Sequence, residues 1–229
     1  REQGVGLDFN PTFFSHDKMD GNFTLSSRDA AIRRFWIEHG KRCREIGAAI
    51  GRSLETPCIV NYWMPDGYKD TPADTATPRR LMVEALDEIL EPKPDTAVEK
   101  IALESKLFGL GVESYTVVSH EFALGYAQSR GIMCTLDAGH FHPTETIGAK
   151  LSAMLQFIGE IFLHLSRGVR WDSDHVVTWT DELQEVMNEV LFNGYSERVH
   201  FGLDYFDASI NRIACWVIGM RNARKALLK

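Results

Sequence analysis

Residues 132–143 read Ile-Met-Cys-Thr-Leu-Asp-Ala-Gly-His-Phe-His-Pro. The first six form a short, mostly apolar run between Gly131 and the Gly139 turn, and so predict a buried strand. The run ends on the carboxylate of Asp137, and His140 follows within one tight turn. Upstream, residues 114–129 are patterned as a helix that stops at Gly131; downstream, a second helix is expected over about 144–157. A strand set between helices, with polar groups crowded at its C-terminal end, is the repeating unit of a parallel sheet.

The same rhythm extends in both directions. Residues 5–9 and 58–63 predict strands, followed by helices opening at Ser26 or Ser27, with Gly51 as the stop, and at Thr77-Pro78, ending before Pro92. A strand over about 103–110 precedes the helix at 114–129. After the central unit come a strand at 161–166, a helix opening near Asp181 and Gln184, a strand at 199–204 and a last helix from about 209 to 228. Six β-then-α units leave an open doubly wound sheet or a barrel as the choices. No Gly-rich phosphate loop follows any strand, which disfavours the nucleotide-binding open sheet. The expected fold class is therefore α/β, a (β/α)8 TIM barrel with about six of its eight units in this chain.

Composition narrows the function. Of 229 residues, 25 are Lys or Arg against 32 Asp or Glu, for a net charge of −7, so a phosphate-neutralising nucleic-acid surface is not expected. No window approaches the roughly 18 uninterrupted apolar residues of a membrane helix, and REQGVGLDFN lacks the basic start and apolar core of a signal peptide. Cys43, Cys58, Cys134 and Cys215 lie far apart and read as reduced, mostly buried thiols of a cytoplasmic protein.

The remaining information lies in carboxylates and imidazoles at strand ends. Asp137 and His140 can face one metal ion, and such mixed O/N ligation suits Mn²⁺ or Zn²⁺ better than Ca²⁺; equally, Asp137 could cap the next helix beside a surface histidine. Asp172 and Asp174, two residues apart in Trp-Asp-Ser-Asp-His, repel one another unless a cation neutralises them, although a solvated acidic loop is the plainer alternative. Glu104 and Lys106 alternate along a strand and share one face, which is either the barrel interior or exposed. His164, in Phe-Leu-His-Leu-Ser, is a ligand or a hydrogen-bonded core histidine. Asp204 closes Val-His-Phe-Gly-Leu-Asp, and Asp207 beyond it could be an N-cap. Together these groups place metal-ligating side chains at the ends of four successive strands, and Asp137 can bridge two ions.

The strings GLDFNPTFFSHDK, TPCIVNYWMPDGYKD, ESKLFGLGVESYTVVSHEF, LDAGHFHPTE, SRGVRWDSDHVV and GLDYFDASINRIACWVIGMRN resemble L-rhamnose isomerase across nearly the whole chain. The resemblance implies an intramolecular oxidoreductase of rhamnose catabolism, with a site similar to that of xylose isomerase. It implies one partial barrel domain over residues 1–229, lacking N- and C-terminal parts of the family, including a substrate-binding histidine upstream of Arg1. It further implies a catalytic Mn²⁺ on His140, Asp172 and Asp174, and a structural Mn²⁺ or Zn²⁺ on Glu104, Asp137, His164 and Asp204, with Asp207 the alternative for the last. The resemblance also implies catalytic roles for Lys106, Asp204 and Asp207, and contact with the sugar for Trp63, Glu104, Lys106 and His140. A homotetramer is implied for the full-length protein. Gly168 departs from the family's proline in SRPVRW and loosens the approach to Asp172. Rival readings are an isomerase or epimerase for another deoxy sugar, and a metal-binding fragment without activity.

Overall fold

The computed structural model describes residues 2, 4–107, 111–142, 144–169, 174–207 and 209–228. The chain divides into two compact units, Arg1–Ile132 and Met133–Lys229.

In the first unit, helix α1 (Ala30–Leu54) starts at Asp29, whose side chain accepts from the backbone N–H of Ala31 and Ile32. The expected cap at Ser26 or Ser27 lies upstream because those hydroxyls have another use: Ser26 donates to Asp66 at 2.6 Å and Ser27 to Asp20 at 3.2 Å. Gly51 does not end the helix. A Cβ there would stand 1.8 Å from the Val98 carbonyl oxygen, so glycine admits close passage of the backbone. Strand β1 (Cys58–Tyr62) is buried throughout and pairs in parallel with β3 (Glu99–Glu104), Asn61 opposite Ala102. Short β2 (Gly67–Tyr68) pairs antiparallel with β4 (Tyr115–Thr116). Helix α2 (Ala76–Ile89) and helix α3 (His120–Arg130) follow β2 and β4, α3 closing at Gly131 with φ 66°. Trp36, Tyr62, Met82, Leu86, Ile89 and Leu103 form the core.

Several expected boundaries move. Of residues 5–9 only Phe9 makes a bridge, to Val60. The strand expected at 103–110 begins earlier, at Glu99–Glu104, in register with β1; the Lys106 N–H donates to the Val118 carbonyl at 2.8 Å, and residues 108–110 of that expectation lie outside the described residues. The helix expected from residue 114 begins at His120, because Tyr115 and Thr116 are taken by β4.

In the second unit, β5 (Met133–Asp137), β6 (Ile161–Leu165) and β7 (Val199–Leu203) pair in parallel in that order. Helices α4 (Gly148–Met154), α5 (Asp181–Phe192) and α6 (Arg212–Leu227) follow them in turn. Helix α4 is shorter than expected: ahead of it the Thr144 N–H donates to His142 Nδ1 and the Glu145 N–H to the His142 carbonyl. Thr180 caps α5, so Asp181 is its first residue, and Asn211 caps α6. The register sets Asp137 opposite His164, and His164 opposite Gly202.

All four cysteines are free and buried, and burial pushes the Cys43 and Cys58 thiols up to about 11. Among the described residues no helix is long and apolar enough to cross a membrane.

Candidate metal centre

A parallel ladder aims equivalent positions of neighbouring strands in one direction, so residues ending adjacent strands become neighbours. In the second unit this acts on Asp137, His164 and Asp204. Asp137 and His164 are buried, at 1% exposure each, and Asp204 follows β7 with its N–H donating to Leu165. His164 Nδ1 stands 3.6 Å from Asp137 Oδ2 and 3.2 Å from Asp204 Oδ2. Ligand atoms of these three residues lie within 4.8 Å of one another.

A second group overlaps the first. The tight turn after β5, with the His140 N–H donating to the Asp137 carbonyl at 3.2 Å, returns His140 to its own strand end. His140 and Asp174 then offer ligand atoms within 4.8 Å of Asp137 and of each other. Asp137 belongs to both groups, as a residue able to bridge two ions must.

The hydrogen bonding of these carboxylates is one-sided. Asp137 Oδ1 accepts from the Gly139 N–H at 2.6 Å and the Ser166 hydroxyl at 3.1 Å. Asp137 Oδ2 and Asp174 Oδ1 are buried with no hydrogen-bond partner among the described residues. Burial acts to raise the Asp137 carboxyl, but the imidazoles of His140 and His164 outweigh it and hold the group below the ordinary carboxylate range. Asp174 goes the other way: burial first, then the Asp137 charge, pushes it up to about 7. Buried, unsatisfied carboxylate oxygens beside imidazole nitrogens fit a divalent cation that accepts O and N donors. The donor set therefore supports a divalent metal and leaves its identity open.

The other expected residues are placed as follows. Asp172 lies outside the described residues, as do Trp171 and Ser173. Asp207 is apart from both groups: its carboxylate accepts from the N–H and hydroxyl of Ser209 and, at 3.4 Å, from the Val176 N–H, and His175 Nδ1 stands 3.7 Å away. In the first unit, Glu104 and Lys106 are both buried, and Glu104 accepts a 2.6 Å hydrogen bond from Asn61 Nδ2. Lys106 Nζ sits 5.8 Å from the centre of the Trp63 ring.

Two residues escaped the sequence reading as parts of the site. Ser166 carries a signal in hindsight, because it lies two positions beyond His164 and strand alternation sends both side chains the same way. Gly139, read only as a turn residue, is needed for space: a Cβ there would stand 2.3 Å from Asp174 Oδ1 and 3.2 Å from Asp137 Oδ1.

Solved structures similar to this chain include a D-tagatose 3-epimerase-like protein (TM-score 0.68, 16% identity, 98% of this chain and 78% of that one). Another is a 3-keto-D-glucoside 4-epimerase from E. coli (TM-score 0.65, 10% identity, 98% and 81% covered). At such identities the likeness shows the fold, which is α/β and of the (β/α)8 barrel class, incomplete in this chain. The sequence is more specific. The family model described as L-rhamnose isomerase (RhaA) matches residues 1–229, and the chain belongs to that family. Similar relatives are the L-rhamnose isomerases of Rhodopirellula baltica (57% identical, 100% of this chain and 53% of that protein) and Mannheimia succiniciproducens (56%, 100% and 55%). The chain spans about half the length of the curated relatives it matches.

Proposed function

We propose that the protein carrying these 229 residues is a metal-dependent aldose–ketose isomerase that interconverts L-rhamnose and L-rhamnulose. The observation that carries this reading is the pair of largely buried O/N groups sharing Asp137, in a chain of the L-rhamnose isomerase family. In this proposal His140, Asp172 and Asp174 hold a catalytic Mn²⁺. Asp137, His164 and Asp204 hold a second ion, Mn²⁺ or Zn²⁺, and the family resemblance assigns Glu104 to it as well. Asp204, which stands beside His164, is favoured over Asp207 as the last ligand.

When bound, a divalent ion supplies Lewis acidity at the oxygens on C1 and C2 and lowers the pKa of a coordinated water. The chain's own groups do the rest. The Lys106 ammonium donates hydrogen bonds to O1 and O2, and Trp63 gives the sugar an apolar wall. Glu104 and His140 orient the open-chain form, so that orientation entropy is settled before reaction. The hydrogen passes from C2 to C1 either directly or through an ene-diol, with Asp204 and water accepting and returning a proton. Reaction in deuterated water separates the routes: deuterium at C1 excludes a purely direct shift. The protein works in the cytoplasm as a homotetramer, and residues 1–229 are part of one barrel domain.

The test is turnover by the full-length chain, stripped of metal and resupplied with Mn²⁺, against a panel of aldoses that includes L-rhamnose. Mn²⁺-dependent formation of L-rhamnulose is expected. A clear preference for another deoxy sugar moves the assignment to a related isomerase or epimerase, and Mn²⁺ binding without turnover of any aldose overturns the enzyme reading.

A further inference from the structure

Ser166 follows β6 and, among the described residues, is the one neutral side chain whose hydroxyl reaches the carboxylate shared by the two ligand groups, donating to Asp137 Oδ1 at 3.1 Å. The Gly139 N–H donates to the same oxygen at 2.6 Å. A carboxylate oxygen has two lone pairs, so these donors occupy Oδ1 and fix the rotation of the carboxylate. The other oxygen, Oδ2, is left buried without a hydrogen bond among the described residues, 3.6 Å from His164 Nδ1. Asp174 is drawn into the same arrangement. The Ser166 hydroxyl, Asp174 Oδ1 and Asp137 Oδ1 all crowd the space above Gly139, at 3.0, 2.3 and 3.2 Å from the position its missing Cβ would take.

We infer that Ser166 is a positioning residue of the metal centre: its hydroxyl, with the Gly139 N–H, occupies Asp137 Oδ1 so that Oδ2 alone is presented to a divalent cation. This rests on the metal-dependent reading above. In this inference Ser166 acts through Asp137, to which its hydroxyl donates. Partners that orient a ligand in this way change metal affinity by about 10–100-fold when removed, and because the ligand itself stays, excess metal restores the site.

The experiment uses the full-length chain freed of metal, with Mn²⁺ alone as probe, read by calorimetry and by the electron paramagnetic resonance of free Mn²⁺. Ser166→Ala is expected to weaken Mn²⁺ binding by about 10–100-fold at one site, while kcat at saturating Mn²⁺ changes only a few-fold. Ser166→Thr, which keeps a hydroxyl, restores affinity to within about three-fold of wild type. Affinity within two-fold of wild type in Ser166→Ala overturns the inference, and so does equal weakening in both variants, since the hydroxyl is then not the cause. Should Ser166→Ala not fold, Ser166→Cys, of similar size and a weak donor, must show the same loss or the inference falls. Wild-type protein that binds no Mn²⁺ defeats the metal-dependent reading itself, a result distinct from a Ser166 effect that is absent while wild type binds.

Discussion

Two fully buried aspartates, one in each unit, are solved in opposite ways. Asp66, in the loop after β1, accepts from the N–H and hydroxyl of Thr24 at 2.8 and 2.5 Å and from the N–H and hydroxyl of Ser26 at 3.0 and 2.6 Å. Both of its oxygens are satisfied by groups that are themselves buried, and the result is a clamp between two loops. Among the described residues Asp137 has hydrogen-bond donors on one oxygen only, and its other oxygen stands 3.6 Å from His164 Nδ1. Burial raises the Asp66 carboxyl against its four donors, whereas histidines hold Asp137 low. The proposed metal reading accounts for the difference: Asp66 is satisfied by the protein, while Asp137 keeps an oxygen that a cation would take.

The contrast can be broken most severely at the ligands. His140→Ala in the full-length chain removes one nitrogen donor and is expected to lower Mn²⁺ affinity by more than the ~100-fold ascribed to an outer-shell partner. Metal content after dialysis checks this, and unchanged dependence on added Mn²⁺ refutes the ligand assignment. Asp66→Ala should do the reverse. It strands four buried donors, so a loss of about 3 kcal/mol or more is expected in urea denaturation, with unchanged Mn²⁺ affinity per folded molecule. Gly139→Ala sharpens the comparison from the other side: a methyl 2.3 Å from Asp174 Oδ1 displaces that side chain, and Mn²⁺ affinity falls by about 10–100-fold while thermal stability barely moves.

The smallest effect is that of pH. Asp174, raised to about 7, must lose its proton to bind a cation, so apparent Mn²⁺ affinity falls as pH drops below 7, by about tenfold per unit for one proton. The metal-free protein follows the opposite sign. A carboxyl raised on folding contributes stability that is fully present below its unfolded value of 3.8 and is lost as pH rises through 7. Asp174→Asn flattens this dependence, and calorimetric titration between pH 5 and 8 reads it.

Much of this was legible in the chain itself. The strand expected at 132–137 starts one residue later and ends where expected, at Met133–Asp137, and Gly131 ends α3 as expected because its φ of 66° favours glycine. Asp137 and Asp204 were legible because one closes β5 and the other directly follows β7, and His164 because it stands one residue before the end of β6. Two boundaries moved where residues had partners distant in sequence. Ser26 is spent on Asp66, forty residues away, so it cannot cap α1, and residues 99–104 are drawn into a strand by pairing with 58–62.

What the amino-acid order determined alone was the alternation of strands and helices, the family, and the residue types at the strand ends, since hydrophobic periodicity and turn chemistry act over a few neighbours. What only tertiary structure decided was which oxygen of Asp137 is satisfied, that Asp204 rather than Asp207 stands beside His164, and that Ser166 and Gly139 complete the arrangement. Those depend on ångström distances between residues up to 67 positions apart, Asp137 to Asp204, set by strand register and close packing and written in no local pattern.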